Sequence, residues 1–263
     1  MDAFGNGRLL TDSLRTALVV GHPGHELLVH GWLEITRPIV FVFTDGSGRS
    51  NQSRLPSTTR ILNQVGARCG SIYGRLADTE AYAAILNHEH DLFIDLAREL
   101  SEALIVERID YVAGDASEGY NPMHDVCRLV IDAAVTMARR ARAYTLANLE
   151  FSLTGQHGDC HTTPHVDGIC RVLDDSTFTR KMSAAEQYAE LVGEIQPRLK
   201  QTSAEALRTE CMRPVNLGSN ERRGGHPPFY EQYGEKQVAA GFYQQVIRYD
   251  EHLAPLEEAL ART

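Results

Sequence analysis

Residues 17–44 read ALVVGHPGHELLVHGWLEITRPIVFVFT, and this stretch sets the fold expectation. Ala17 to Gly21 is a short apolar, β-branched run ending on glycine, which predicts a strand. After a four-residue turn, Glu26 to Thr36 has helix-like spacing at Leu27, Leu28, Gly31 and Ile35, which predicts a helix. Pro38 to Thr44 is nearly all apolar and β-branched or aromatic, as a strand buried on both faces of a parallel sheet should be. Strand, turn, helix and strand open a doubly wound α/β fold, whose ligands gather outside the carboxyl ends of the strands.

The alternation continues outward from that unit. Asp45 to Ser53 is rich in Gly, Ser and Asn and predicts a loop at the carboxyl edge of the second strand. A helix is expected from Ser57 to Val65, a third strand at residues 71–74 (SIYG), and one or two helices from Asp78 to Leu104, broken near Asn87. Tyr111 to Gly114 predicts a further strand, followed by the loop DASEGYNP (115–122) and a helix from Met123 to Arg142. The basic end of that helix, RRAR, suits the negative end of a helix dipole. The expected class is α/β, a Rossmann-like, doubly wound, mostly parallel sheet with helices on both faces. Residues 1–263 are expected to form a single domain with a less regular part over 151–263. There, 154–168 predict a polar loop, Asp175 to Glu194 a helix, 208–234 a Gly/Pro-rich stretch, and Glu235 to Ala261 a last helix kinked before Pro255.

Composition narrows the function classes. With 263 residues, 43% hydrophobic and 23% charged, the chain can bury a substantial core, which excludes disorder. A net charge of -9 and the lack of a basic tract argue against nucleic acid. The absence of a long apolar run argues against a membrane span or leader, so a cytoplasmic location is expected. The five cysteines are odd in number and none lies in a C-x-x-C pair, which excludes a Cys-based zinc knuckle and favours a reducing compartment. Eleven histidines stand against a single Trp.

The histidines gain meaning from the strand ends. His22 and His25 lie in the turn after the first strand, and His124 opens the helix after the later one. In a doubly wound sheet these loops meet in one cleft. Three imidazoles plus water suit an open zinc site, whose bound water has a pKa of roughly 7. Glu26, Asp45, Asp115, Glu118 and Asp125 are the carboxylates near enough in sequence to hold the second ring nitrogens. Asp45 and Asp115 are equally suited to satisfying loop backbone donors. Asn121 can donate to a developing oxyanion, and Arg54 and Asp45 can bind polar groups of a substrate. His157, His161 and His165 form a second cluster, expected on a substrate loop or the surface. Tyr230 and Tyr233 are placed to line the cleft from the C-terminal region, although packing is the simpler expectation.

At these residues the sequence resembles the PIG-L or LmbE-like family of zinc-dependent N-acetylglucosaminyl deacetylases. That family opens with a strand running into His-Pro-Asp-Asp-Glu and later has His-Pro-Asp-His at a helix start. Here the segments read ALVVGHPGHE (17–26) and EGYNPMHD (118–125), with Arg54 and Val65-Gly66 in the frame of an intervening Arg and Leu-Gly. The resemblance covers roughly the first 150 residues. It implies metal ligands at His22, at His25 in place of an aspartate, and at His124. The family's general-base aspartate falls on Gly24, its assisting histidine on Asn121 and a neighbouring acid on Met123. Either a more positively charged metal lessens the need for a base, or a carboxylate from another loop, Glu118 or Asp125, takes its place. Glu26 keeps the motif's last residue, a helix-start or supporting partner.

The function expected is a metal-dependent hydrolase of the deacetylase type. Its substrate would be an N-acyl amino sugar or similar small polar molecule, with zinc or another divalent metal as cofactor and a homo-oligomer possible. The alternatives are a catalytically decayed binding or accessory protein on the same fold, and a three-histidine enzyme of different biosynthetic chemistry.

Overall fold

The computed structural model describes residues 14–141, 145–154, 168–191, 204–215 and 227–263. Its strands are β1 (Thr16–Val20), β2 (Ile39–Thr44), β3 (Arg68–Leu76), β4 (Tyr111–Asp115), β5 (Ala147–Phe151), β6 (Ile169–Val172) and β7 (Thr209–Pro214). They form one sheet in the order β3-β2-β1-β4-β5-β7-β6. The first five are parallel, whereas β7 runs antiparallel to β5 and β6 antiparallel to β7.

The helices are α1 (His30–Thr36), α2 (Leu55–Val65), α3 (Asp78–Leu86), α4 (His90–Val106), α5 (Pro122–Ala141), α6 (Asp175–Glu186), α7 (Phe229–Ala239) and α8 (Ala254–Ala261). The central strands are apolar at every position because both faces are covered. Ala17, Val19, Phe41, Phe43 and Val112 pack with α3, α4, α5 and α8 in one cluster. Leu18, Val20, Val40, Val42 and Tyr111 pack with α1 and α2 in the other. This period of two, with apolar residues in both phases, is what the run at 38–44 announced.

The sequence of connections reverses between β1 and β4. The chain steps from β1 out to β2 and β3, then returns to place β4 on β1's other side. Such a switch point opens a crevice at the strands' carboxyl ends. The turn 21–25 leaves β1 there, and the loop 116–121 leaves β4 beside it.

Several boundaries differ from expectation. The helix expected from Glu26 begins as a 3-10 turn, His25–Val29, and becomes α-helical only at His30. The third strand extends over nine residues, and α6 ends at Glu186, before a short 3-10 turn at Ala189–Leu191. The long last helix does not exist. α7 starts at Phe229 and stops at Ala239, Gly241 follows at φ 76, and a π-helical turn, Tyr249–Leu253, leads into α8. A left-handed glycine ends a helix rather than kinking it. Cys69, Cys127 and Cys170 are free thiols, and Cys211 is disulfide-bonded. No helix among the described residues is long and apolar enough to cross a membrane.

Candidate metal and active site

His22 leaves the carboxyl end of β1. Its Nδ1 lies 2.8 Å from Thr44 Oγ1 and 3.1 Å from Asp78 Oδ1. The Thr44 hydroxyl donates to the Gly21 carbonyl, so toward His22 its oxygen accepts. The His22 proton is thereby fixed on Nδ1, and Nε2 carries the lone pair. That Nε2 is buried and has no hydrogen-bond partner among the described residues. A buried polar atom left without a partner calls for an explanation, and an ion is one.

His25 repeats the arrangement from the next turn of chain. Its Nδ1 lies 3.0 and 2.9 Å from the two carboxylate oxygens of Asp115, the last residue of β4. Asp115 is fully buried and also accepts from the Gly21 N–H at 2.8 Å. Metal-ligating histidines usually donate their second ring N–H to a carboxylate in this way.

His124, in the first turn of α5, completes the group. Ring centroids are 5.5 Å apart for His22 and His25, 5.3 Å for His22 and His124, and 4.7 Å for His25 and His124, all edge-to-face. Imidazoles bound tetrahedrally to one zinc through bonds of about 2.0–2.1 Å have centroids roughly 5 Å apart. The donor chemistry and ring placement thus fit a divalent metal such as zinc. The shell is not assembled, however: among the described residues no group of three or more His, Cys, Asp or Glu side chains stands in ready metal-holding geometry.

Gly24 stands between the two ligating candidates with φ 106, a left-handed conformation that disfavours a side chain. A Cβ there would lie 2.5 Å from Leu191 Cδ1 and 3.6 Å from the Tyr188 hydroxyl. Leu27, Ile61, Ala184, Ala185, Tyr188 and Leu191 pack as a separate apolar cluster under this turn. The space in which a carboxylate at position 24 would start is already filled.

The expected carboxylates divide into those at the rings and those engaged elsewhere. Asp115 is at the rings, and so is Asp78, which sequence reading had assigned only to a helix. Burial opposes ionisation of Asp78, but hydrogen bonds from the His22 ring and the Gly48 N–H outweigh it and hold the carboxyl below its usual range. Glu26 does not reach a ring nitrogen. It accepts from Gly24 N–H at 2.7 Å and the Thr58 hydroxyl at 2.8 Å, bracing the turn, and its complete burial raises its pKa. Asp45 also braces a loop, with Oδ1 accepting from the N–H groups of Ser47 and Asp78 at 2.9 and 3.2 Å.

Glu118 is turned to β5. Its Oε1 accepts from Ser152 Oγ at 2.5 Å, and its Oε2 accepts from the N–H groups of Leu153 and Thr154 at 2.9 and 3.0 Å. Asp125 lies beside His124 and accepts at Oδ1 from the N–H groups of Glu118 and Gly119 at 3.0 and 3.1 Å. Burial pushes its carboxyl up to about 6.

Asn121 is oriented by two donors on its carbonyl oxygen, the Tyr82 hydroxyl at 3.0 Å and the Met123 N–H at 2.8 Å. Its amide nitrogen is therefore left to face other groups. Tyr82, on α3, was not expected at the site; only the packing of α3 beside the β4 loop reveals it. Arg54 ends the loop that follows β2, and its side chain lies over Gly46 together with Pro23, since a Cβ on Gly46 would meet Pro23 Cδ at 2.9 Å and Arg54 Cδ at 3.0 Å. Arg54 thus borders the His22–His25 turn. Tyr230 is buried, as expected, but Tyr233 is 41% exposed. His157, His161 and His165 lie outside the described residues. A cavity of about 380 Å³ lined by Arg15, Thr16, Arg37 and Arg68 lies at the opposite, amino-terminal edge of the strands.

No family model matches the chain, and no curated protein does. Solved structures do. The fold is similar to that of the A40926 pseudoaglycone deacetylase Dbv21, with a TM-score of 0.55 and 18% identity over 78% of this chain and 98% of that one. The zinc-inhibited form of the teicoplanin deacetylase Orf2 gives 0.54 and 12%, over 78% and 99%. The conserved protein TT1542 from Thermus thermophilus gives 0.50 and 14%, over 79% and 99%. At these identities the likeness is one of fold.

Proposed function

We propose that the protein is a metal-dependent hydrolase of the deacetylase type, cleaving the amide of an N-acyl amino sugar or a similar small polar molecule. The convergence of His22, His25 and His124 at the sheet's switch point, two of them backed by buried carboxylates, carries this reading. The deacetylase fold of the structural neighbours agrees with it.

His22, His25 and His124 would hold zinc or another divalent metal. Such a metal, when bound, polarises an acyl carbonyl and lowers the pKa of water to about 7. Thr44, Asp78 and Asp115 keep the ring protons on Nδ1 and the lone pairs on Nε2. Asn121, its carbonyl oxygen held by Tyr82, offers its amide N–H groups to the oxyanion of a tetrahedral intermediate. Arg54 takes a polar or anionic group of the substrate. Proton transfer falls to Asp125 rather than Glu118, because Glu118 commits both oxygens to the segment after β5 while Asp125 adjoins His124. A cytoplasmic location remains part of the proposal.

The filled space at Gly24 favours a second reading, a binding or accessory protein without turnover. One experiment separates the two. Untagged protein is analysed for metals by inductively coupled plasma mass spectrometry and assayed for amine release from N-acetylated sugars with and without added zinc. Near-stoichiometric metal with zinc-dependent amine release is expected. Metal binding without turnover supports the accessory reading, and less than about a tenth of an equivalent of metal, unchanged by zinc, sinks both metal-based accounts.

A further inference from the structure

Tyr120, Phe229 and Tyr233 form an aromatic stack in contact with solvent. The Tyr120 and Phe229 rings are 5.2 Å apart and within 4° of parallel, and those of Phe229 and Tyr233 are 6.2 Å apart at 26°. The three residues are 41%, 49% and 41% exposed, whereas rings such as Trp32, Phe41, Phe93 and Tyr111 are buried. Phe229 and Tyr233 are four residues apart on α7 and so share one helix face.

The stack is tied to the site through the backbone. Tyr120 directly precedes Asn121. The first turn of α7 is docked on the same loop, since Tyr230 N–H donates to the Gly119 carbonyl at 3.2 Å and Pro228 lies over Gly119, where a Cβ would approach it to 3.2 Å. Tyr233 and Tyr243 are also near enough to Tyr82, whose hydroxyl holds Asn121, to influence it electrostatically. Each of these rings keeps over 40% of its surface in solvent and so leaves apolar area uncovered. Their ends and edges suit a ligand ring with an apolar face.

We infer that Tyr120, Phe229 and Tyr233 form a subsite that stacks a flat ring carried next to the reacting amide, either an aryl group or the apolar face of a second sugar. This rests on the reading of the site as one for N-acylated amino sugars. It selects substrates in which that sugar is a glycoside rather than a free monosaccharide.

The test is calorimetric binding of three N-acetylglucosamine derivatives, the methyl glycoside, the 4-nitrophenyl glycoside and the β-linked disaccharide, to the zinc-loaded full chain. Phe229→Ala and Tyr233→Ala are compared with the natural sequence. Both residues are substantially exposed, and unchanged melting temperatures will verify folding. A ring-bearing ligand is expected to bind about tenfold tighter than the methyl glycoside, with the gain falling below twofold in Phe229→Ala and the methyl glycoside unaffected. The preferred member of the pair tells an aryl ring from a sugar ring. The inference is overturned if the natural protein shows no ring preference, if the preference survives both substitutions, if no ligand binds, or if Phe229→Ala converts a sedimenting dimer to monomer. Acetate release in the same samples reads the hydrolase proposal separately. Ring-dependent binding without release defeats only the hydrolase, and release without ring preference defeats only the subsite.

Discussion

Asp115 accepts a hydrogen bond from His25 Nδ1 at 2.9 Å through the same oxygen that accepts the Gly21 N–H at 2.8 Å. One buried carboxylate therefore fixes both the backbone that leaves β1 and the tautomer of a histidine three residues later. Asp115→Asn preserves size and one acceptor but removes the charge that makes the imidazole a better ligand. Metal affinity should fall about 10–100-fold, measured by competition with a chromophoric chelator. Unaltered affinity would mean that His25 is not a ligand.

The turn at Gly24 disfavours a side chain. Gly24→Asp would restore the carboxylate of the resembling family at the position of its base, but its Cβ would meet Leu191 at 2.5 Å on a backbone with φ 106. The left-handed strain and the collision together should destabilise the fold by about 2–4 kcal/mol. Chemical denaturation should show that Leu191→Ala, harmful alone, costs less in the presence of Gly24→Asp. Strict additivity would mean that the two residues do not compete for space.

Asp125 and Glu118 are distinguished by their partners. Asp125→Asn keeps an acceptor for the Glu118 and Gly119 N–H groups while removing proton transfer, so kcat should fall about 10²–10⁴-fold with little change in KM. Glu118→Ala leaves Leu153 and Thr154 N–H without their acceptor and should cost about 1–3 kcal/mol of stability instead. Steady-state kinetics beside thermal unfolding of the two variants will test this. The reverse pattern would make Glu118 the proton carrier.

The central half of the sheet was legible because β1, β2 and β4 are apolar runs with turn residues at their ends. The histidines were legible because His22 and His25 follow β1 in its turn and His124 opens the helix after β4. The antiparallel edge was not. β6 reads Ile-Cys-Arg-Val and β7 Thr-Glu-Cys-Met-Arg-Pro, with exposed and buried positions mixed, and a buried Glu210 looks like a loop residue until Lys181 is seen beside it. Asp78 was invisible as a support for His22 because 56 residues separate them and only the strand order joins them. Glu118 shows the converse: nearness in sequence to His124 says nothing of direction, and the loop after β4 turns the side chain onto the segment after β5.

Glu210 illustrates what that unread edge does for the site. From β7 it accepts the Gly31 and Trp32 N–H groups at the start of α1, each at 2.8 Å, and the Lys181 ammonium of α6 at 2.9 Å. Burial lowers the Lys181 pKa against the pull of Glu210. Lys181→Met strands a buried carboxylate and should cost about 3–5 kcal/mol. Glu210→Gln added to it removes the stranded charge while keeping an acceptor, so the double variant should be more stable than Lys181→Met alone. A double-mutant cycle in urea reads the coupling, and a less stable double variant would refute a stranded charge as the cause.

His30, the first residue of α1, connects the same region to pH. It is 3% exposed, its Nδ1 has no hydrogen-bond partner among the described residues, and the nearest carboxylate, Glu34, is 3.8 Å away. Glu34 and Glu210 favour its charged form, Lys181 and Arg180 oppose it, and burial, the largest influence, lowers its pKa. In the unfolded chain its pKa is about 6.5. Below that pH the unfolded state binds a proton that the native imidazole refuses, so stability falls as the pH drops from 6.5 toward the depressed native value. Above 6.5 both states are neutral and the contribution is complete. His30→Gln cannot take the proton, so its melting temperature should decline less steeply than that of the natural protein between pH 7.5 and about 5. The difference between the two profiles isolates His30 from the other groups that titrate in this range. Parallel profiles would show that the native imidazole takes up its proton as readily as the unfolded one.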